Sequence, residues 1–541
     1  MGVAAVRRAR RLGADAILTA RRTRILWWSA FVALGAAAVA RNVLALSTVP
    51  PGLYVDESSI GYNAWAIAHY GVDEHGTPFP LYFEAFGEYK NPIYIYALVP
   101  LTRLFGLSSA VERFPAAVFG AAALLFITLT AWRITRSLPI TVFVLALGAL
   151  TPWLVQESRV GFEVVSMLAT LSVAVWCLAD PPTTTPARFA VAGLFFALSI
   201  FAYSTARLEI LLFGIAFAVA YGRSRAPGWW RTLVVIIAGY GVLGVWALMH
   251  PGALTAEFNV VSIAADGAPL GTLIARFVTN YIGYFGPHFL FIDGDPYLRH
   301  NTGYAGMLPA IAAPLLLLGL WALWRRRAEP FARFTLFCIL LAPVAASLTM
   351  YVGAPHALRG SVMLPFLFVV MIYGLDAARG LLSRHRWVAA LGATALALQG
   401  GLFMLDMYTA YPVRAATWFD DGVPAAVVAA THAAKGHAVY LSTTIEEPYI
   451  QAFFALLPPP PTQPVQDDAT PGLTELGMAQ LDPIAAEQAA RPGDILVLAP
   501  DDPRPLPPSQ LIDTEFGPAD PLSSTPSQPL VYVYRFETAA A

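Results

Sequence analysis

The sequence predicts an all-α polytopic membrane protein with about eleven transmembrane helices, N-terminus inside and C-terminus outside, followed by a small outer α/β domain. Three observations predict it: a composition more apolar than that of a soluble chain, a series of apolar runs of spanning length, and a lopsided distribution of arginine. Of 541 residues, 57% are apolar and 13% charged, whereas a typical soluble domain carries about 25% charged residues. Mean hydropathy is +0.59. So apolar a chain is not disordered, and a net charge of −1 argues against nucleic acid as the main partner. The two cysteines, Cys177 and Cys338, lie in apolar runs and read as buried thiols, not as a disulfide framework.

A spanning helix needs about 20 mostly apolar residues. Runs of this kind fall at 25–46, 113–132, 138–156, 162–179, 188–205, 208–222, 232–249, 307–324, 334–351, 360–378 and 387–405. The basic tail 1–24 followed by the first run has the outline of a signal peptide, but no small-x-small cleavage site follows, and the run reads as a retained helix. A further run, 91–106, is shorter and is interrupted by Pro100 and Arg103. If it does not cross, twenty basic residues up to residue 411 fall on the N-terminal side and nine on the other. If it crosses, the Arg-rich turns after it face away from the N-terminal cluster. The positive-inside rule selects the first arrangement. The chain then divides into a cytoplasmic basic tail (1–24), a transmembrane domain (25–411) with long outer loops at 47–112 and 250–306, and an outer domain (412–541).

Every carboxylate-rich motif lands on the outer face, and the cytoplasmic turns are short and basic. The first outer loop carries Asp56-Glu57 at the start of a helical pattern, and Lys90-Asn91-Pro92 leading into 91–106. Lysine occurs only at Lys90 and Lys435. An ammonium at headgroup level suits a phosphate, although a snorkelling anchor has the same pattern. The acidic pair fits a general base on an acceptor hydroxyl or amine, and equally a cap on the helix dipole. Glu163 sits at the outer end of the fourth helix with Arg159 one turn away as its expected partner. In the second loop, Asp293-Gly-Asp295 has cation-ligating potential with His288 or His300, and the same residues are turn formers.

The motifs Asp56-Glu57-Ser-Ser-Ile-Gly-Tyr62, Gly87-Glu-Tyr-Lys90-Asn-Pro92, Glu112-Arg113-Phe-Pro115, Ser158-Arg159-Val-Gly-Phe-Glu163, Asp293-Gly-Asp295-Pro-Tyr-Leu-Arg299-His300 and Pro355-His356-Ala-Leu-Arg359 occur in that order along one face. In this the chain resembles GT-C glycosyltransferases that use polyprenyl-phosphate sugars, and is similar to bacterial relatives of protein O-mannosyltransferases and of the lipid A aminoarabinose transferase. The resemblance implies a GT-C helix bundle and inverting transfer of a sugar from a polyprenyl phosphate to an extracytoplasmic acceptor (protein, lipid or glycan). It implies Asp56 as base, Glu57 and Glu163 beside it, and Lys90 on the donor phosphate. Arg299 and Arg359 are further phosphate-binding candidates. Tyr62, Arg159, His288, Asp293, Asp295, His300 and His356 are pocket candidates. No metal or other cofactor is expected to be required, with a divalent cation as the exception to consider. The family commonly has Pro-Pro after the lysine and Asp at the second acidic position, where this chain has Asn91-Pro92 and Glu163.

After residue 412 the chain turns polar and proline-rich, with apolar runs at 438–441, 494–499 and 530–534 that read as buried strands and helical patterns at 423–434 and 446–457. The implied location is the cell membrane, with the site on the extracytoplasmic face. A transporter or flippase for lipid-linked saccharides is the rival class, and it favours polar groups near the midplane in broken helices. A ligase or polymerase using a diphosphate-linked donor, and a non-catalytic scaffold, are further alternatives.

Overall fold

In the computed structural model, residues 2–179, 184–224, 226–350, 355–462, 473–474, 476–505, 509–519, 521–522 and 527–537 are described. Arg225, one of the counted cytoplasmic cations, lies outside them. Among the described residues, six helices are long and apolar enough to span: Arg21–Val43, Ser109–Thr135, Trp230–Met249, Pro330–Ser347, Ala357–Arg384 and Arg386–Tyr408. The chain is a multi-pass membrane protein. The remaining apolar runs form helices of 12 to 16 residues, among them Leu138–Ala149, Val164–Leu178, Pro186–Ile200, Ala206–Tyr221 and Ala312–Arg325. All but Ala206–Tyr221 are shorter than the apolar run they belong to. Pro152 explains one case: it ends the helix begun at Leu138 and starts a new turn, Pro152–Glu157, because its ring cannot continue the ladder.

We label the N-terminal half α1 (Gly2–Val43), α2 (Val55–Tyr70), α3 (Pro92–Phe105), α4 (Ser109–Thr135), α5 (Leu138–Ala149), α6 (Pro152–Glu157) and α7 (Val164–Leu178). All but one residue of α7 are buried. A helix apolar on every side belongs in the middle of a bundle, and α7 lies between α4 and the helix Pro186–Ile200. Close backbone approach matters between Ala312–Arg325 and Leu364–Arg384. A Cβ on Gly319 would lie 1.9 Å from the Val370 carbonyl oxygen, and one on Gly374 would lie 2.2 Å from that of Leu315. Small residues at such crossings let membrane helices meet through their backbones.

The chain between α1 and α4 folds onto the bundle as α2, a hairpin of β1 (Phe83–Ala85) and β2 (Glu88–Lys90), and α3. At 14 residues, α3 is about 21 Å long. It packs Tyr94, Ile95 and Leu98 against Ile60, Ala64 and Ile67 of α2 and leaves Leu104 and Phe105 exposed at its tip. Its proline at the first helical position needs no hydrogen-bond partner there.

Beyond Tyr408 the chain forms a five-stranded sheet in the order β4-β3-β5-β7-β6, with β3 Val439–Ser442, β4 Met478–Leu481, β5 Ile495–Leu498, β6 Ser509–Phe516 and β7 Pro529–Phe536. β3 pairs in parallel with β4 and β5, and β7 pairs antiparallel with β5 and β6. The helix Val423–Ala434 covers one face, burying Val427 and Ala430 against Val439, Ile495, Val497 and Val533. The second helical pattern forms Pro448–Leu456, starting after Glu447 because Pro448 takes the first helical position. That helix docks on α2 through Ile450 and Phe453 against Val55, Tyr62 and Ala66.

This placement predicts sidedness. The native Cys177 and Cys338 are buried, so an introduced cysteine reports alone. Tyr70→Cys and Ala265→Cys are expected to react with an impermeant maleimide from the same face, and Ala328→Cys from the opposite one. Labelling of residue 70 together with residue 328 would place α3 across the membrane.

Candidate functional site

The site is built outward from the hairpin. Its two-residue loop, Phe86-Gly87, has φ of +57° and +71°, and Ala85 pairs with Glu88 across it. Two successive positive φ values match the right-handed twist of a tight hairpin, and Gly87 supplies one of them without strain. The returning strand delivers Lys90 to the first turn of α2, where its Nζ lies 2.5 Å from Asp56 Oδ1 and 3.7 Å from Glu88 Oε1. The Lys90 side chain is 5% exposed and that of Asp56 31%. Burial alone would lower the Lys90 pKa, but Asp56, Glu88 and Glu163 outweigh it and hold the ammonium above the ordinary lysine range. Burial pushes Glu88 up to about 7, and the nearby Glu257 and Asp56 add to it against the pull of Lys90.

Glu163 does not pair with Arg159. It accepts the backbone N–H of Asn91, and Asn91 Nδ2 donates to its second oxygen at 2.8 Å. Asn91 Oδ1 in turn accepts from Arg207 at 3.1 Å. A proline at position 91 would have neither an N–H nor a side-chain donor. The two departures from the family pattern, Asn91 and Glu163, are therefore two ends of one contact.

Asp56, Lys90 and Glu163 line a cavity of about 320 Å³ that also receives Arg299, His300, His356 and Arg359. Arg359 pairs with Glu257 at 3.3 Å. Arg299 lies 3.5 Å above the Tyr54 ring centroid, donates to the Trp418 carbonyl and pairs with Glu446 at 3.1 Å. Glu446 and Glu447 bring the turn after β3 into the cavity wall. Beside them burial pushes Asp420 up to about 7, against the pull of Arg299 and with a contribution from Glu446. Asp295 lies behind the cavity. One of its oxygens accepts from Tyr297 N, and the other from Ala357 N and from His300 Nδ1 at 2.9 Å. The carboxylate thus orients the His300 ring, which sits 4.4 Å from that of His356. Burial, His300 and Arg359 keep His356 neutral. Among the described residues, Asp295, His300 and His356 could hold a metal ion, with one ligand atom from each within 4.8 Å of the others.

Six of the sequence candidates stand away from the cavity lining. Besides Asp295, Glu57 is fully buried on the far side of α2, clamped by Arg113 at 2.7 and 2.9 Å. It also accepts the N–H groups of Tyr54 and Gly161, so it is a structural clamp and not part of the reacting set. Arg159 caps the carbonyls of Arg41, Leu44, Ala45 and Val49 at the end of α1. Tyr62 donates to the Pro458 carbonyl at the outer-domain contact. His288 and Asp293 pair at 2.6 Å on the surface, 76% and 68% exposed. Sequence reasoning assigned no role to Tyr54, Glu88, Glu257, Glu446 or Glu447. Glu88 was within reach, two residues from Lys90 on a short strand and therefore on the same face.

No protein-family profile matches the chain, and no curated protein matches it by sequence. Solved structures do. ArnT from Cupriavidus metallidurans bound to undecaprenyl phosphate superposes with a TM-score of 0.53 at 13% identity, over 94% of this chain and 98% of ArnT. The apo form superposes with a TM-score of 0.54 at 14% identity over the same shares. This chain has the GT-C fold of ArnT. The oligosaccharyltransferase AglB from Archaeoglobus fulgidus also aligns, with a TM-score of 0.40 at 15% identity over 83% of this chain and 62% of AglB.

Truncating one member of a buried ion pair costs about 3–5 kcal/mol. Arg113→Ala is expected to destabilise the protein by about that amount, measured by thermal unfolding in detergent. Arg113→Met with Glu57→Leu together should cost less than Arg113→Ala alone, because neither charge is left unpaired. Equal stability of Arg113→Ala and wild type would contradict the clamp.

Proposed function

We propose that the protein is a membrane glycosyltransferase that moves a sugar from a polyprenyl phosphate to an extracytoplasmic acceptor with inversion. The observation that carries this reading is the pairing, in one cavity, of a buried ammonium and a partly exposed carboxylate 2.5 Å apart. Such a pair supplies the two things the transfer needs: a cation for the leaving phosphate and a base for the acceptor. Asp56 takes the acceptor proton, the acceptor's electron pair attacks the anomeric carbon, and the bond from that carbon to the phosphate oxygen breaks. The charge gained by the phosphate is met by Lys90. A phosphate needs little acid assistance to leave, so one carboxylate suffices, whereas glycoside hydrolysis uses two. Arg359, which like Lys90 lies beside Glu88, is the second cation on the donor side. Arg299 belongs to the outer-domain wall. The ArnT likeness, one member of which holds undecaprenyl phosphate, supports a lipid phosphate as the donor's carrier. The charge asymmetry of the turns supports about eleven spans and a site on the extracytoplasmic face of the plasma membrane.

The transfer needs no metal in this reading, since Lys90 and Arg359 meet the phosphate and Asp295 already accepts from three donors. Chelation by EDTA is expected to leave transfer unchanged. Loss of activity that Mn²⁺ or Zn²⁺ restores would assign a metal to His300 and His356.

The deciding experiment is sugar transfer in membranes with a panel of radiolabelled polyprenyl-phosphate sugars. Wild type is expected to release lipid phosphate and label an acceptor, and Asp56→Asn to fall by about 10² or more while staying folded. Equal activity would reduce Asp56 to a helix cap. Movement of the intact lipid-linked sugar without its cleavage would select the flippase class.

Glu88 sets the pH response. Below pH about 7 its carboxyl is neutral. Above that it is an anion 3.7 Å from Lys90 and competes with the phosphate. Undecaprenyl phosphate binding is expected to weaken as pH rises through about 7, and Glu88→Gln to flatten that limb. An unchanged limb in Glu88→Gln would contradict the assignment.

A further inference from the structure

We propose that Asp56 and Lys90 cap each other in the donor-free protein, and that the donor's phosphate, by drawing Lys90 away, uncaps the base. The inference rests on the transferase reading above. It turns on a conflict in the geometry: the two groups the reaction uses separately are bonded to one another. A charge-assisted bond of 2.5 Å lies at the strong end of such contacts. While that contact stands, Oδ1 of Asp56 is occupied by the lysine.

The surroundings leave the ammonium little room to serve two anions at once. Glu88 lies 3.7 Å from Lys90 Nζ. The Phe86 ring covers another side, with its centroid 4.8 Å away. An ammonium has three donors, and in so enclosed a place a phosphate and the Asp56 carboxylate together would set two anions against each other in low dielectric. Exchange resolves this. The phosphate takes Lys90 and Asp56 turns to the acceptor. The acceptor then loses its proton to Asp56, its electron pair forms the new bond to the anomeric carbon, and the old bond's pair leaves on the phosphate. When the polyprenyl phosphate departs, Asp56 gives its proton to water and Lys90 closes on it again. The base is armed only when a donor is in place, and without one an acceptor meets a capped carboxylate.

The test is a double-mutant cycle in detergent with undecaprenyl phosphate as the probe, read as its Kd in purified wild type, Asp56→Asn, Lys90→Met and the double variant. If the lipid phosphate must displace Asp56, Asp56→Asn binds it about threefold or more tighter, Lys90→Met binds about tenfold or more weaker, and the double variant binds like Lys90→Met. Asp56→Ala carries the same expectation and serves if the Asn variant does not fold. Equal or weaker binding by both Asp56 variants, with Lys90→Met still impaired, overturns the capping and leaves the donor reading standing. A gain that persists without Lys90 reflects net charge alone and also overturns it. Wild-type binding by Lys90→Met overturns the donor reading itself.

Discussion

The site depends on the buried ion pair between Glu57 and Arg113. Arg113 reaches from α4 to accept no other role than gathering: it donates to Glu57 and to the carbonyls of Leu46, Pro50 and Gly52. Glu57 in turn accepts the N–H groups of Tyr54 and Gly161. The pair therefore ties down the chain leaving α1, the first turn of α2 and the turn before α7. Asp56 is the neighbour of Glu57, and Glu163 lies two residues beyond Gly161. The clamp sets the spacing of the cavity's acidic groups without touching the cavity. Taking such a pair out of water is costly, and its use here is positional.

Within the cavity each main cation has a carboxylate opposite it: Lys90 with Asp56, Arg359 with Glu257, Arg299 with Glu446. Charges enclosed at a membrane surface stay ionised at acceptable cost when paired in this way. Among the described residues these three cations of the cavity already hold carboxylates, so a ligand phosphate would enter by exchange. The outer domain takes part through Glu446, whose carboxylate holds Arg299 and receives the Tyr54 hydroxyl. It is a wall of the site as well as a cover.

Much of this was legible in the sequence because the fold is written in long patterns. Apolar runs give the helix bundle, the arginine count predicts its sidedness, and α3 forms as a separate short helix packed on α2. Asp56 and Lys90 were found through motifs whose spacing the hairpin explains. The failures share a cause. Asp56 and Glu57 are adjacent in sequence, but about 100° of helical rotation separates adjacent side chains, so one faces the cavity and the other the α4 clamp. Arg159 is near Glu163 in sequence, yet the turn between them sends it to the end of α1. Glu257 and Glu446 reach the cavity from segments about 190 residues apart (residue numbers from), with no periodicity to mark them. In the outer domain the buried strands β3, β5 and β7 were readable as apolar runs. β4 and β6 are edge strands with polar, half-exposed faces, and their sequences look like loop.

The most direct test of the account is an experimentally determined structure of the protein with undecaprenyl phosphate bound. The account predicts the phosphate within about 3 Å of Lys90 Nζ, with Asp56 released from the lysine and facing the open cavity. A phosphate bound elsewhere, for instance at the Arg325–Arg327 turn, with Lys90 still closed on Asp56, would contradict it.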